Sequence, residues 1–206
     1  MSLYTMFGVN GVGKDTVAAE LARGYEHMTI TSESRMCMYL MGITTDFSQN
    51  VNPTRDNYKA LEEISQDEMR RLEANEYREL ATEMSESDQL YLNLSHLVFM
   101  LYLDKKPVYL TDRDKPDWYV RLNSALFNLQ APPEIIQARR MKQKQTRDRG
   151  DFPLEEIAYH QKLCDEKWQV IKKQAGSIPC KTVVNVHLAS AVTDVSRALS
   201  AEVVHE

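Results

Sequence analysis

"FGVNGVGKDT", residues 7–16, is the stretch on which the reading of this chain turns. Gly8 and Gly13 stand at the two ends of a six-residue frame, Gly11 lies between them, and Lys14 follows directly. This is the spacing of a loop that grips phosphate. Glycines let successive backbone N–H groups turn inward around an anion, the helix that follows adds its positive end, and the lysine reaches the outer phosphates. Gly8, Val9, Asn10, Gly11, Val12, Gly13, Lys14, Asp15 and Thr16 are therefore the expected nucleotide-binding residues. One position departs from the usual frame. After the lysine a Ser or Thr ordinarily offers a hydroxyl to Mg²⁺, whereas here Asp15 takes that place and the hydroxyl comes one residue later, at Thr16. A carboxylate beside the lysine would repel a polyphosphate, so Asp15 is expected near Mg²⁺, as a hard oxygen ligand or through a water.

The flanks agree with the loop. Residues 3–9 form a short apolar run, and Val17, Ala18, Leu21 and Ala22 recur at helical spacing over residues 15–23. Strand, glycine loop and helix is the order that a phosphate loop needs. Further along, residues 27–31 read as a second strand, followed by a helix through the Met-rich residues 35–41, whose methionines read as core packing. Residues 55–85 are densely charged, with apolar positions every three or four residues, as in one long or two shorter amphipathic helices. Residues 89–103 contain a buried strand interrupted by His96, and residues 104–116 form a loop region that encloses a short strand at 108–110. Residues 124–131 read as a strand, and Pro132-Pro133 stop it and open the next helix. A helix over 154–175, a strand over 178–186 and a helix over 192–204 complete the chain.

Alternation of this kind predicts an α/β fold with three layers: a five-stranded, mainly parallel sheet with helices on both faces, in one domain over residues 1–206. The chain has 206 residues, 43% of them hydrophobic, enough for a substantial core. Its formal net charge of −5 means that affinity for a polyanion must be local, which argues against a nucleic-acid partner. Cys37, Cys164 and Cys180 are widely spaced and form no C-x-x-C pair, so neither a zinc site nor a disulfide framework is indicated and a cytoplasmic setting is expected. No apolar run reaches the length of a membrane span, so no membrane partner is expected.

A second cluster stands out in "ARRMKQKQTRDRGDF", residues 138–152, where Arg139, Arg140, Arg147 and Arg149 fall close together. Arginine forks onto phosphate oxygens and keeps its charge. Placed after the fourth strand, such a cluster would face a nucleotide held at the carboxyl ends of the strands. His96 and His160, each alone on its element, read first as structural hydrogen-bonding residues, and Cys164 and Trp168, four apart, as core.

With the loop and the arginine stretch in hand, the chain resembles the P-loop nucleoside-monophosphate kinases, most of all the archaeal-type adenylate kinases and adenylate-kinase-like proteins. Their loop runs G-x-x-G-x-G-K-x-T, which "GVNGVGKDT" matches with its displaced Thr16. The stretch 138–161 resembles their paired arginines, Arg-rich lid and following helix with His-Gln, and "NLSHL", residues 93–97, resembles the end of their third strand. The resemblance implies a P-loop NTPase fold, ATP and Mg²⁺ as cofactors, and small nucleotides as substrates. It implies that Lys14 stabilises the migrating phosphoryl group, that Arg139 or Arg140 flanks the donor base or phosphates, and that Arg147 and Arg149 act from a short lid over residues 139–153. Acceptor binding would fall to a helical insertion over residues 34–85, with Ser34 and Arg35, and to His96. The chain departs from the pattern at the end of strand three, where Asn93 and Leu94 occupy the neighbourhood of the family's acid and Asp112 or Asp114 are distant alternatives. Two other readings stay open: a kinase for another small acceptor or a nucleic-acid end, and a non-catalytic ATP-binding regulatory protein.

Overall fold

The apolar run ahead of the glycine loop becomes β1 (Ser2–Phe7), and the helical spacing behind it becomes α1 (Lys14–Gly24). The structure, a computed structural model, describes residues 2–32, 66–86, 89–103, 106–110, 115–144 and 153–203. In chain order the remaining strands are β2 (Met28–Ser32), β3 (Leu90–Leu94), β4 (Phe99–Leu103), β5 (Lys106–Leu110), β6 (Asn123–Gln130) and β7 (Cys180–Val184). The remaining helices are α2 (Gln66–Ser85), α3 (Asp117–Arg121), α4 (Pro133–Lys144), α5 (Leu154–Ala175) and α6 (Leu188–Val203).

Five strands form one parallel sheet in the order β2-β3-β1-β6-β7. β1 lies in the middle, with a chain-earlier pair on one side and a chain-later pair on the other. Connections therefore leave β1 and β6 in opposite directions, and this reversal opens a crevice at the carboxyl ends of the strands. The glycine loop sits at that crevice because it follows β1 directly.

Which helix covers which face follows from the two-residue period of β1. Leu3 packs with Tyr77, Leu80 and Met84 of α2 and with Tyr119 of α3. Phe7, on the same face, meets Trp168 of α5 at 6.0 Å between ring centroids. Helices α2, α3 and α5 thus cover one side of the sheet. Tyr4 and Met6 point the other way and are fully buried in the main core, to which α1 contributes Val17, Ala18 and Leu21 and α6 contributes Ala191, Val195 and Leu199. The expected helices on both faces are present, and the fold is three-layered α/β.

Beneath the crevice, on the α3 side, the sheet carries a chain of buried polar groups. Thr31 Oγ1 donates to Asn93 Oδ1 at 3.0 Å, and Asn93 Nδ2 donates to the Tyr119 hydroxyl. Thr5 Oγ1 donates to Asn123 Oδ1 at 2.6 Å, so its contact with Tyr119 at 2.9 Å is one in which the phenol donates. Asn123 Nδ2 in turn donates to the Tyr119 carbonyl at 2.9 Å. The chain crosses β2, β3, β1 and β6 in that order.

The hydrophobic stretch 89–103, read as holding one strand, holds two: β3 and β4 flank the break at His96, and β4 pairs antiparallel with β5 in a separate two-stranded sheet. No Asn-Gly or Asp-Gly pair marks the connection between β4 and β5, so the usual local signal of a hairpin is missing. The methionine-rich helix expected at 35–41 and the first part of the charged stretch 55–85 lie outside the described residues. Among the described residues no helix is long and apolar enough to cross a membrane.

Candidate functional site: the phosphate loop

The loop between β1 and α1 is shaped by glycine where no other residue fits. Gly13 caps α1 in the left-handed region at φ 99°, and a Cβ there would lie 2.7 Å from Asn185 Nδ2. Gly11, at φ 85°, lies against the Arg140 side chain, with Nε 2.8 Å from where a Cβ would be. Conformation and space both require glycine at these two positions.

The loop carbonyls are held by side chains from outside it. Asn10 O accepts from Arg140 Nε at 2.9 Å and from Arg140 Nη2. Val12 O accepts from Arg139 Nη1 and from Asn185 Nδ2, both at 2.8 Å. Arg139 also reaches Asn185 O with Nη2, at 3.0 Å, and so ties the loop to the end of β7. Lys14 Nζ, on a nearly buried side chain, turns back to Gly8 O at 2.7 Å. A trans peptide points its C=O and its N–H in opposite directions, and the described chain contains no cis bond. Holding the Val12 carbonyl on the arginine side therefore aims the Gly13 N–H away from that side. Backbone amides at the positive end of a helix are the groups from which anion-binding nests are built.

Three cations therefore converge on one short loop. Burial lowers the affinity of the half-buried Arg139 guanidinium for its proton, but an arginine stays charged. Behind the loop, His160 on α5 is buried and its Nε2 donates to Val98 O at 3.1 Å. Burial, above all, pushes its pKa down to about 4, and the nearby charges of Arg140, His96 and Lys14 act in the same direction while the bond to Val98 opposes them. Cys164, one turn on, is pushed up to about 12, chiefly by burial. At neutral pH both are uncharged: the imidazole is a weak base because its pKa is low, and the sulfur is a thiol rather than a thiolate nucleophile.

Metal-holding capacity follows a similar logic. Among the described residues no three His, Cys, Asp or Glu side chains come together around a common point. Mg²⁺ is commonly held by one or two protein oxygens together with substrate phosphates, so a site for it would need few protein ligands. Asp15 and Thr16, both exposed in the first turn of α1, are the oxygens next to Lys14. Asp15 also complements the positive end of the helix. The end of β3 supplies no carboxylate: Asn93 is engaged in the buried polar chain, and the buried Ser95 donates its N–H to Met6 O at 3.0 Å.

The structure thus brings Lys14, Arg139, Arg140 and His96 to the glycine loop, His96 through a 2.8 Å contact between its Nε2 and Asn10 Oδ1. Ser34, Arg35, Arg147, Arg149, Asp112 and Asp114 lie outside the described residues. Sequence reasoning missed Asn185, which grips Val12 from the end of β7. Its signal was its place: a polar residue directly after the last parallel strand falls at the carboxyl edge of the sheet. A separate groove of about 650 Å³, lined by Gln130, Pro132, Gln161, Asp165 and Val184 among others, runs between α5 and the ends of β6 and β7 and includes no residue of the loop.

By sequence, the chain matches no family model and no curated protein. By structure it is similar to a thymidylate kinase from Candida albicans, with 13% identity, a TM-score of 0.55, and coverage of 100% of this chain and 93% of that one. It is likewise similar to shikimate kinases from Acinetobacter baumannii and Bacteroides thetaiotaomicron. Each shows 13% identity and a TM-score of 0.53, with 100% and 97% of this chain covered and 94% and 98% of theirs. At this identity the likeness is one of fold: the chain shares the α/β fold of these kinases.

Proposed function

We propose that the protein is an ATP- and Mg²⁺-dependent phosphotransferase that moves the γ-phosphoryl group of ATP to a nucleoside monophosphate, in the manner of an adenylate-kinase-like enzyme. The observation that carries this reading is the loop whose carbonyls at Asn10 and Val12 are held outward by Arg140, Arg139 and Asn185, with Lys14 folded beside it. That arrangement presents amides and a cation to an anion before the anion arrives, and phosphoryl transfer depends on such positioning rather than on covalent help.

In this reading residues 8–16 cradle the donor triphosphate. Lys14 exchanges the Gly8 carbonyl for an outer phosphate oxygen and neutralises charge as the bond from the γ-phosphorus to the leaving oxygen breaks and the bond to the acceptor oxygen forms. Arg139, fixed at both Nη atoms by carbonyls, offers the flat face of its guanidinium to the donor base. Arg147 and Arg149, in a lid over residues 139–153, would neutralise the transferred group and exclude water. Mg²⁺, when bound, would offset charge on the outer phosphates, and Asp15 and Thr16 are the residues that would hold it. Ser34, Arg35 and the helical insertion around residues 34–85 would bind the acceptor.

A second reading keeps the same donor site and changes the acceptor to a small hydroxylated acid. The fold likeness to the two shikimate kinases favours it. A coupled assay for ADP release, with ATP and Mg²⁺ across a panel of nucleoside monophosphates and small hydroxy acids, separates the two. Turnover dependent on a monophosphate is the expected result. Turnover only with a hydroxy acid would move the assignment to the second reading, and tight ATP binding with no acceptor-dependent turnover would overturn both.

A further inference from the structure

Asn10 and Gly11 form the apex of the glycine loop, and Asn10 is gripped from two sides. On one side Arg140, only 4% exposed, places Nε and Nη2 on the Asn10 carbonyl, and its stem lies against Gly11. On the other side His96, just past the end of β3, meets Asn10 Oδ1 with Nε2. Because the peptide is trans, a carbonyl held toward Arg140 forces the Gly11 N–H to face the opposite way. The same residue is thus fixed at its backbone by α4 and at its side chain by the segment after β3.

We infer that Arg140 and His96 are positioning residues that act on the nucleotide through Asn10, by aiming the Gly11 amide, rather than groups that touch the transferred phosphoryl or the acceptor. The inference rests on the proposed nucleotide site and assigns these two side chains a place within it. Its chemical content is specific. A point charge at position 140 would attract polyphosphate equally well, but only a fork can hold one carbonyl with two donors in a fixed direction. At position 96 the requirement is a donor of the right reach to Asn10, which a glutamine amide can supply and an alanine cannot. The arrangement also joins β3 to the loop at the point where the sheet lacks an acid, so that the strand's end shapes the loop.

The test is a double-mutant cycle read by calorimetric ATP affinity in the presence of Mg²⁺, together with the amide NMR resonance of Gly11 in the nucleotide-free protein. Arg140→Lys should weaken ATP about tenfold although charge is kept, the size expected for losing one buried charge-assisted contact. His96→Ala should weaken ATP several-fold, and His96→Gln should restore most of the loss. His96→Ala and Asn10→Ala should be non-additive, the double variant being no worse than the poorer single one. The Gly11 resonance should shift in Arg140→Lys and His96→Ala before any nucleotide is added. Wild-type ATP binding with additive losses, or an Arg140→Lys variant that binds like wild type, would overturn the clamp and leave the nucleotide reading standing. Failure of the wild type to bind ATP would overturn both, whatever the Gly11 resonance does.

Discussion

The same parallel sheet carries two polar layers, and they are built on opposite principles. At the carboxyl ends of the strands, Lys14, Arg139 and Arg140 are charged donors that rest on backbone carbonyls. Lower in the sheet, Thr31, Asn93, Tyr119, Thr5 and Asn123 are neutral, and each hands its proton to the next in one direction. In the lower layer donors and acceptors are matched among side chains, so nothing is gained by exchanging a partner. In the upper layer the two arginines stay on the loop carbonyls they hold, whereas Lys14 rests on a carbonyl that carries only a partial charge, for which a phosphate oxygen would be a stronger partner. A buried network in which every member is satisfied specifies which strands lie side by side; in the proposed reading, arginines on carbonyls fix the loop and leave Lys14 to meet an anion.

Four variants would break or sharpen that contrast. The largest effect is expected from Lys14→Ala in the upper layer: acceptor-dependent ADP release should fall by about 10²–10³-fold, as when one donor to a developing charge is removed. Its thermal midpoint should move little, since the lost contact is to a carbonyl at the edge of the crevice; a collapse in stability would mean that Lys14 belongs to the structural layer.

His160 lies behind the upper layer, where burial first, and the charges of that layer to a lesser degree, hold its pKa down. Its folded pKa of about 4 lies below the ordinary value of 6.5, so the unfolded chain binds more protons between those values. Stability is thus fully present above about pH 6.5 and declines as the pH falls toward 4, by roughly 3 kcal/mol in total. Denaturant titrations at pH 7 and pH 4.5 should show this slope, and it should flatten in His160→Gln. An unchanged slope in the variant would assign the acid sensitivity to other groups.

Tyr119→Phe removes the hydroxyl at the centre of the lower layer and leaves Asn93 Nδ2 with a lost partner in a buried setting. Stability should drop by about 1–3 kcal/mol, a shift in thermal midpoint on the order of 5 °C, while turnover at 25 °C stays within about twofold of wild type. A much larger loss of turnover than of stability would show that the two layers are coupled. The smallest effect is expected at the exposed Asp15. Asp15→Ser should lower activity a few-fold, on the order of one weak metal contact, when Mg²⁺ is limiting and recover at excess Mg²⁺. A loss that Mg²⁺ does not reverse would remove the carboxylate from the metal's surroundings.

What was legible beforehand followed from local chemistry. The frame of Gly8, Gly13 and Lys14 between an apolar run and a helical repeat predicts strand, loop and helix, and β1 and α1 form there. Residues 154–175 carry an unbroken helical period and become α5 over the same span. The pairing of β4 with β5 was not legible, because a hairpin without a turn signature is indistinguishable from a continued apolar stretch. Arg139 and Arg140 could be placed near a nucleotide by their position after the fourth strand, but their engagement with the loop carbonyls could not. That depends on the distance between α4 and the loop, which no local pattern encodes. Asn185 and His96 stayed hidden as loop-shaping residues for the same reason: they are 173 and 86 residues from the loop positions they touch.

The sequence by itself determined that this chain makes a glycine loop with a lysine behind it, at the end of a strand and the start of a helix, because spacing, conformational freedom and a lysine are all local properties. Only the tertiary structure decided how that loop is held open. The strand order β2-β3-β1-β6-β7 brings α4, the end of β7 and the segment after β3 to one crevice. There Arg139, Arg140, Asn185 and His96 take the outward-facing polar groups of the loop, so that its amides face the other way. Holding a peptide's carbonyl aims its N–H the opposite way, and in this chain the groups that do so come from elements far from the loop in sequence.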